Sequence, residues 1–234
     1  MLKCASAVCG KDLRLVLTRG AGLTQALLLG LLLVFLFSLS LDAGDRLTPQ
    51  AAATMFWLAS AFCQVLVFNM LYAVEEANGA RLGLLLLPAP VQGVWLGKAA
   101  AGLLLLLAAQ CLFVPAVFVF LAQQTGPGWP TALAGLILVD VGMAASGSLL
   151  GALSVGRAGR ESLLSVVLFP LLVPLLLAGV RLTALGLLPA DAPAGALAFA
   201  RESAGSWLGL AAAFDALFLA AGLVLFPYVY SGED

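Results

Sequence analysis

The chain reads as an all-α membrane protein of six transmembrane helices, and three observations lead there. Hydrophobic residues make up 63% of its 234 residues and charged residues only 10%, against about 25% charged in soluble domains. Mean hydropathy is +1.11. The apolar residues gather in six runs, Thr24 to Leu41, Ala51 to Val74, Val94 to Leu121, Thr131 to Val155, Leu163 to Leu188 and Ser206 to Tyr230. Each is long enough to cross a hydrocarbon core of about 30 Å, which takes about 20 helical residues. The runs are apolar on every side and rich in Leu, Ala and Gly, whereas barrel strands are about ten residues long and alternate polar with apolar. All six belong to one transmembrane domain over residues 1–234.

The elements follow in order. "GKDLRLVLTRG", residues 10–20, sets Lys11 and Arg14 apart from Leu13, Val16 and Leu17, the pattern of an interfacial helix over about residues 8–20 beside anionic headgroups. The first apolar run has about twenty residues before it and no A-x-A site after "FLFSLSLDAGD", so it is expected to remain as an uncleaved span. Orientation rests on basic residues, which loops retain on the cytoplasmic side. Lys3, Lys11, Arg14, Arg19, Arg81, Lys98, Arg157 and Arg160 fall on one side, and Arg46, Arg181 and Arg201 on the other. Both termini are therefore expected in the cytoplasm. Cys4 and Cys9 then lie in a reducing compartment, and Cys63 and Cys111 within spans as small packing residues.

Several chemistries are absent. With no histidine the chain lacks the usual general base, the commonest metal ligand and the commonest haem ligand. "GVWLGKA", Gly93 to Ala99, falls one residue short of a phosphate-binding loop and has Ala99 where the magnesium-binding Ser or Thr would stand. Gly93 and Gly97 are read as helix-packing glycines, as are Gly147 and Gly151 in the fourth span. The C-x4-C spacing of Cys4 and Cys9 has no further ligands to make a metal site. No enzymatic activity is expected, and the net charge of −1 gives no ground for a nucleic-acid partner.

The segment "VEEANGARLGLLLLPAPVQGVWLGK", residues 74–98, interrupts the hydrocarbon with two acids, an Asn-Gly and a Pro-x-Pro. An apolar turn between polar ends has the make-up of an amphipathic helix on the membrane surface, ended by Pro88 and Pro90; an ordinary interfacial loop fits the same composition. Within the spans Asp140, Arg181 and Asp215 form a candidate intramembrane charge cluster. A central charge costs about 2.5 to 3.5 kcal/mol on translocon scales, so Arg181 is expected to neutralise one of the acids.

Residues 71–98, with Tyr72, the acids before Gly79, the Leu run, Pro88-Ala89-Pro90 and Leu96-Gly97-Lys98, resemble the CcmB family, the membrane subunit of the cytochrome c maturation ABC transporter. "GALSVGRAGRESLLSVVLFPLLVPLLLAG", residues 151–179, is similar to that family's second block, with a Gly-Arg loop and Pro170 and Pro174 four apart. The chain departs from the family pattern at Asn69-Met70, where Glu-Arg is usual, and at Asn78-Gly79, where Asp-Gly is usual.

The resemblance implies a non-catalytic ABC-2-type (type V exporter-like) permease of a bacterial inner membrane, homodimeric and driven by a separate cytoplasmic ATPase subunit. It also implies haem-handling membrane subunits and a periplasmic haem chaperone as partners, with haem as a transported substrate rather than a tightly bound cofactor. Residues 75–90 would then be the coupling helix. Leu84, Leu85, Leu86 and Leu87 would supply the apolar contact with the ATPase, and Glu75, Glu76, Gly79 and Arg81 its rim and entry. Pro88 and Pro90 would form its stiff joint to span three, while Arg157 and Arg160 make a second cytoplasmic contact. "LPADAPAGALAFARESAG", between the last two spans, is expected to dip back into the outer leaflet. Two other functions fit the composition: a proton-coupled carrier using Asp140 and Asp215, and a non-transporting assembly scaffold.

Overall fold

A computed structural model describes residues 1–40, 47–77, 83, 90–154 and 161–231. The described helices are α1 (Leu2–Arg19), α2 (Ala21–Leu39), α3 (Pro49–Ala77), α4 (Val91–Phe120), α5 (Trp129–Ser154), α6 (Glu161–Leu187) and α7 (Ala194–Ser231). From α2 onward, six of them are long and apolar enough to cross a membrane. The chain is a multi-pass all-α membrane protein.

Two helices, α3 and α5, form the centre, and small residues explain why. Membrane helices associate by close packing rather than by escape from water, so they need positions where backbones can approach. Gly147 and Gly151 of α5 supply them: a Cβ at either would collide with Phe68 or Tyr72 of α3. Phe68 and Tyr72 are both buried. The same device recurs at Gly179 of α6, which receives Trp57, and at Gly222 of α7, which receives Trp95. Around this centre α2 and α7 turn large apolar side chains outward, among them Leu28, Leu32, Phe35, Leu217 and Val224. In a membrane these are lipid-facing surfaces, which explains how helices so poorly covered by protein stay folded.

One end of the bundle is crossed by α1. This helix turns into α2 through Gly20, whose φ of 60° is open to glycine without the Cβ clash that other residues meet there. Against α4 it packs through Gly93 and Gly97, whose hypothetical Cβ atoms would lie 3.2 Å from Cys4 Cβ and 2.7 Å from the Ala5 carbonyl oxygen. Those two glycines are thus the packing pair the sequence suggested. The helix starts six residues earlier than the expected residue 8, and its buried stripe is Val8, Asp12 and Val16 at intervals of four. Leu17, assigned from sequence to the apolar face, is instead 67% exposed.

At the far end the expected re-entrant segment is not a separate element. Residues 194–205 are the first turns of α7, which runs unbroken to Ser231. The reason lies in proline placement: Pro189 and Pro193 both precede the helix, where a missing N–H removes no helical bond, so they start α7 rather than interrupt it. Cys111 also differs from expectation, being exposed, while Cys63 is buried as expected.

Glycine geometry gives a stability prediction. Gly97→Ala forces α1 away from α4 and is expected to cost about 1–3 kcal/mol, whereas Gly209, with open space around it, should tolerate Ala without loss. Thermal denaturation of the two purified variants checks this; equal stability would show that α1 does not need this close approach.

Candidate functional site

Four charged side chains far apart in sequence meet where α1 crosses the bundle. Lys98 of α4 is fully buried and lies 3.2 Å from Asp12 of α1 and 3.1 Å from Glu75 of α3. Lys11 of α1 pairs with the other oxygen of Glu75 and, at 3.0 Å, with the other oxygen of Asp12. Both carboxylates thus bridge the same two ammonium groups, and the set is electrically neutral. Asp12 and Glu75 are 3% and 4% exposed, so three of the four charges have left water. A buried charge is tolerated only when paired and hydrogen-bonded.

The neighbouring groups complete that solvation. Lys98 Nζ also donates to the Leu71 carbonyl at 3.0 Å and sits 4.5 Å from the centre of the Tyr72 ring, where the ring's negative face attracts a cation. Tyr230, from the last turn of α7, donates to Glu75 at 3.2 Å. The Tyr72 hydroxyl lies 2.7 Å from the Ser148 carbonyl on α5, and the Ser148 hydroxyl donates to the Trp95 carbonyl on α4 at 3.2 Å. The polar network therefore joins α1, α3, α4, α5 and α7. It joins the last turn of α3, at Glu75, to a point two turns into α4, at Lys98, the two helices that flank residues 78–89.

Outside the spans, on α1, two groups register the network in their acidities. Burial lowers the Lys11 pKa, but the hydrogen bond to Glu75 and the charge of Asp12 more than offset this and hold it above the ordinary value. Cys9 is pushed up by burial and by Asp12.

A second polar layer lies deeper. Gln110 of α4 donates to Asp140 of α5 at 2.8 Å and to Ser60 of α3 at 3.3 Å. One turn away Gln64 donates to the Met143 carbonyl at 2.7 Å. Asp215 of α7 is buried against the notch left by Gly142 of α5, where a Cβ would collide with Asp215 Oδ1. Since residues 140 and 142 differ by about 200° around a helix of 3.6 residues per turn, the two acids sit on opposite faces of α5.

These positions correct two expectations. Arg181 neutralises neither acid: it is exposed, donates to Gln50 of α3 at 3.4 Å and lies 5.9 Å from the Trp207 ring centre. Its place in α6 turns it toward the start of α3, away from the faces of α5 that hold Asp140 and Asp215. Glu75 is no rim residue of a docking helix, because α3 continues through it to Ala77 and its carboxylate is consumed by the two lysines. Pro90 is exposed and caps the start of α4. Gly79, Arg81, Leu84, Leu85, Leu86, Leu87, Pro88, Arg157 and Arg160 lie outside the described residues, as does the side chain of Glu76.

Sequence reasoning missed Asp12 altogether and counted Lys98 as a topology marker and a residue of the family block, without a partner. A signal for Asp12 was present, since its spacing of four from Val8 and from Val16 puts an acid in the middle of an apolar stripe. Among the described residues no group of three or more His, Cys, Asp or Glu gathers as a metal site would require.

The network yields two predictions. Removing one partner of a buried pair costs about 3–5 kcal/mol, while removing both is far milder. Lys98→Met should therefore lower thermal stability sharply, and adding Glu75→Gln should recover much of the loss because Lys11 and Asp12 remain to pair. If the double variant is no more stable than the single one, the charges are not coupled. The second concerns pH. A lysine pKa raised on folding stabilises fully below the unfolded value, about 10.4, and that contribution is lost as pH rises through the folded value. The stability gap between the native chain and Lys11→Met should thus be constant between about pH 8 and pH 10 and narrow above it; a gap that widens at alkaline pH would contradict the pairing.

Comparison with known proteins agrees with the architecture. The family described as CcmB protein matches residues 3–214. The chain is 29% identical over 189 residues to heme exporter protein B of Paracoccus denitrificans, covering 81% of this chain and 86% of that relative. It is 27% identical to the protein of the same name from Rhodobacter capsulatus over 77% of this chain and 82% of the relative. Heme exporter protein B of Haemophilus influenzae is likewise 27% identical, over 71% and 75% respectively. With a family match that spans most of the chain, including Lys11, Asp12, Glu75 and Lys98, the chain belongs to the CcmB family.

Proposed function

We propose that this chain is the transmembrane subunit of an ABC transporter for cytochrome c biogenesis, coupling ATP hydrolysis by a separate subunit to haem export or to release of a loaded haem chaperone. Family membership supports the broad assignment. One structural observation supports the coupling role: the two helices that flank residues 78–89 are tied to each other by the same buried network, through Glu75 on α3 and Lys98 on α4. A load applied to that connection reaches two spanning helices and α1 together, because none can shift without separating buried charges. A slack connection would dissipate the same load.

In this arrangement the end crossed by α1 faces the cytoplasm of a bacterium, both termini lie there, and the permease is an ABC-2-type homodimer without catalytic activity of its own. Leu84 to Leu87 present the apolar contact to the ATPase, Arg81 orients it, and Arg157 and Arg160 make the second contact. Glu75 serves from inside as an anchor of the connection. Haem-handling membrane subunits and a periplasmic chaperone complete the assembly, with haem as cargo. A proton-coupled carrier is the weaker account, because Asp140 and Asp215 lie on opposite faces of α5 and Asp140 is held by Gln110, which leaves no direct relay between them.

Replacing Leu85 and Leu86 by Ser tests the proposal. The variant is expected to insert normally and keep its thermal stability, but to lose co-purification of the ATPase subunit and maturation of c-type cytochromes. Retention of both partner and maturation would contradict the coupling role of this segment.

A further inference from the structure

Arg181 has no carboxylate partner among the described residues, since all four ion pairs found there involve only Lys11, Asp12, Glu75 and Lys98. Six residues separate it from the end of α6 at Leu187, about 9 Å of helix. That depth is costly for an arginine without a counter-charge unless its guanidinium reaches a polar surface. Rather than lying on a covered helix face, Arg181 lines a cavity of about 680 Å³ between the start of α3, the end of α6 and the first turns of α7. The cavity has two kinds of wall. Gln50 and Ser206 are exposed and polar, whereas Leu185 and Leu188 are apolar, and Trp207 lies between them with its ring 5.9 Å from the guanidinium carbon.

A guanidinium carries five N–H donors, and the hydrogen bond to Gln50, at 3.4 Å, is a long one. Most of the fork is therefore available to a planar or tetrahedral oxyanion, which arginine binds through two parallel bonds. The leucines and the indole face offer room for an apolar body joined to that anion. We infer that this cavity binds an amphipathic anion, with a carboxylate or phosphate head on Arg181 and Ser206 and an apolar portion against Trp207, Leu185 and Leu188. Such a head belongs either to an anionic lipid of the bilayer or to a soluble amphipath. The inference is independent of how the opposite end of the bundle is driven.

Dodecyl phosphate, titrated into the full chain in a neutral maltoside detergent, is a suitable probe, read by tryptophan emission. A saturable change is expected that is absent in Trp207→Phe. Arg181→Gln should weaken binding about tenfold or more, and Arg181→Lys by less, because charge-assisted bonds are lost in the first and partly kept in the second. Ser206→Asp keeps the arginine and adds a negative charge to the cavity; it should also weaken binding about tenfold, and it guards against misfolding of the Arg181 variants. Absence of a saturable change, or affinity in Arg181→Gln and Ser206→Asp unchanged from that of the native chain, would overturn the assignment. In nanodiscs, displacement of the probe by added phosphatidylglycerol assigns the site to a bilayer headgroup, while binding indifferent to that lipid assigns it to a soluble amphipath.

Discussion

Burial of Lys98 among Asp12 and Glu75 is the constraint on which this end of the bundle depends. A lysine fully removed from water is intolerable alone and acceptable only when every neighbour is in place. Its two carboxylates come from different helices, one of which is not membrane-spanning, so α1 is an integral part of the fold rather than a float on the lipid surface. The glycines of α4 make the same demand sterically: Gly93 and Gly97 admit α1 to the distance at which Asp12 can reach Lys98. Packing and charge therefore specify one position of α1. A misplaced α1 would leave an unpaired buried charge, which costs about 3–5 kcal/mol.

The deeper polar layer follows the same logic with milder groups. Gln110 bridges Ser60 and Asp140 across three helices, and Gln64 ties α3 to a carbonyl of α5. Side-chain amides suit this position because each carries donors and an acceptor without a full charge. Small residues along α5 bring α3 near enough for these bonds to form. The bundle is thus held by close packing with polar bonds at two levels, and α2 and α7 remain largely exposed to lipid.

Much of the fold was legible in the sequence because its causes are local. Six apolar runs imply six spans by length alone, and Gly-x-x-x-Gly at 93–97 and 147–151 marks close approach by spacing alone. The ionic network was not legible, since residues 12, 75 and 98 stand at the margins of three separate segments and nothing local joins them. Each invited a local explanation as an interfacial, loop or topology charge. Arg181 misled for a related reason: a place within the spans, shared with Asp140 and Asp215, was taken for proximity, whereas rotation about the helix axis decides which neighbour a side chain meets. The segment at 188–205 suggested a dip back into the outer leaflet, yet its two prolines both precede the first turn of α7.

The central claim is that the buried charges hold α1 against α4, and cross-linking between these helices measures it most directly. A Cβ at position 93 would lie 3.2 Å from both Cβ and Sγ of Cys4, a few tenths of an ångström inside the Cβ–Cβ separation of about 3.5–4.5 Å that a disulfide takes, so a small outward shift of α1 admits the bond. In a Gly93→Cys variant, mild oxidation should join the two positions rapidly, detected as a linked peptide pair by mass spectrometry. Adding Lys98→Met should slow that joining strongly, because α1 then loses the pairing that fixes it. Equal rates with and without Lys98 would contradict the account.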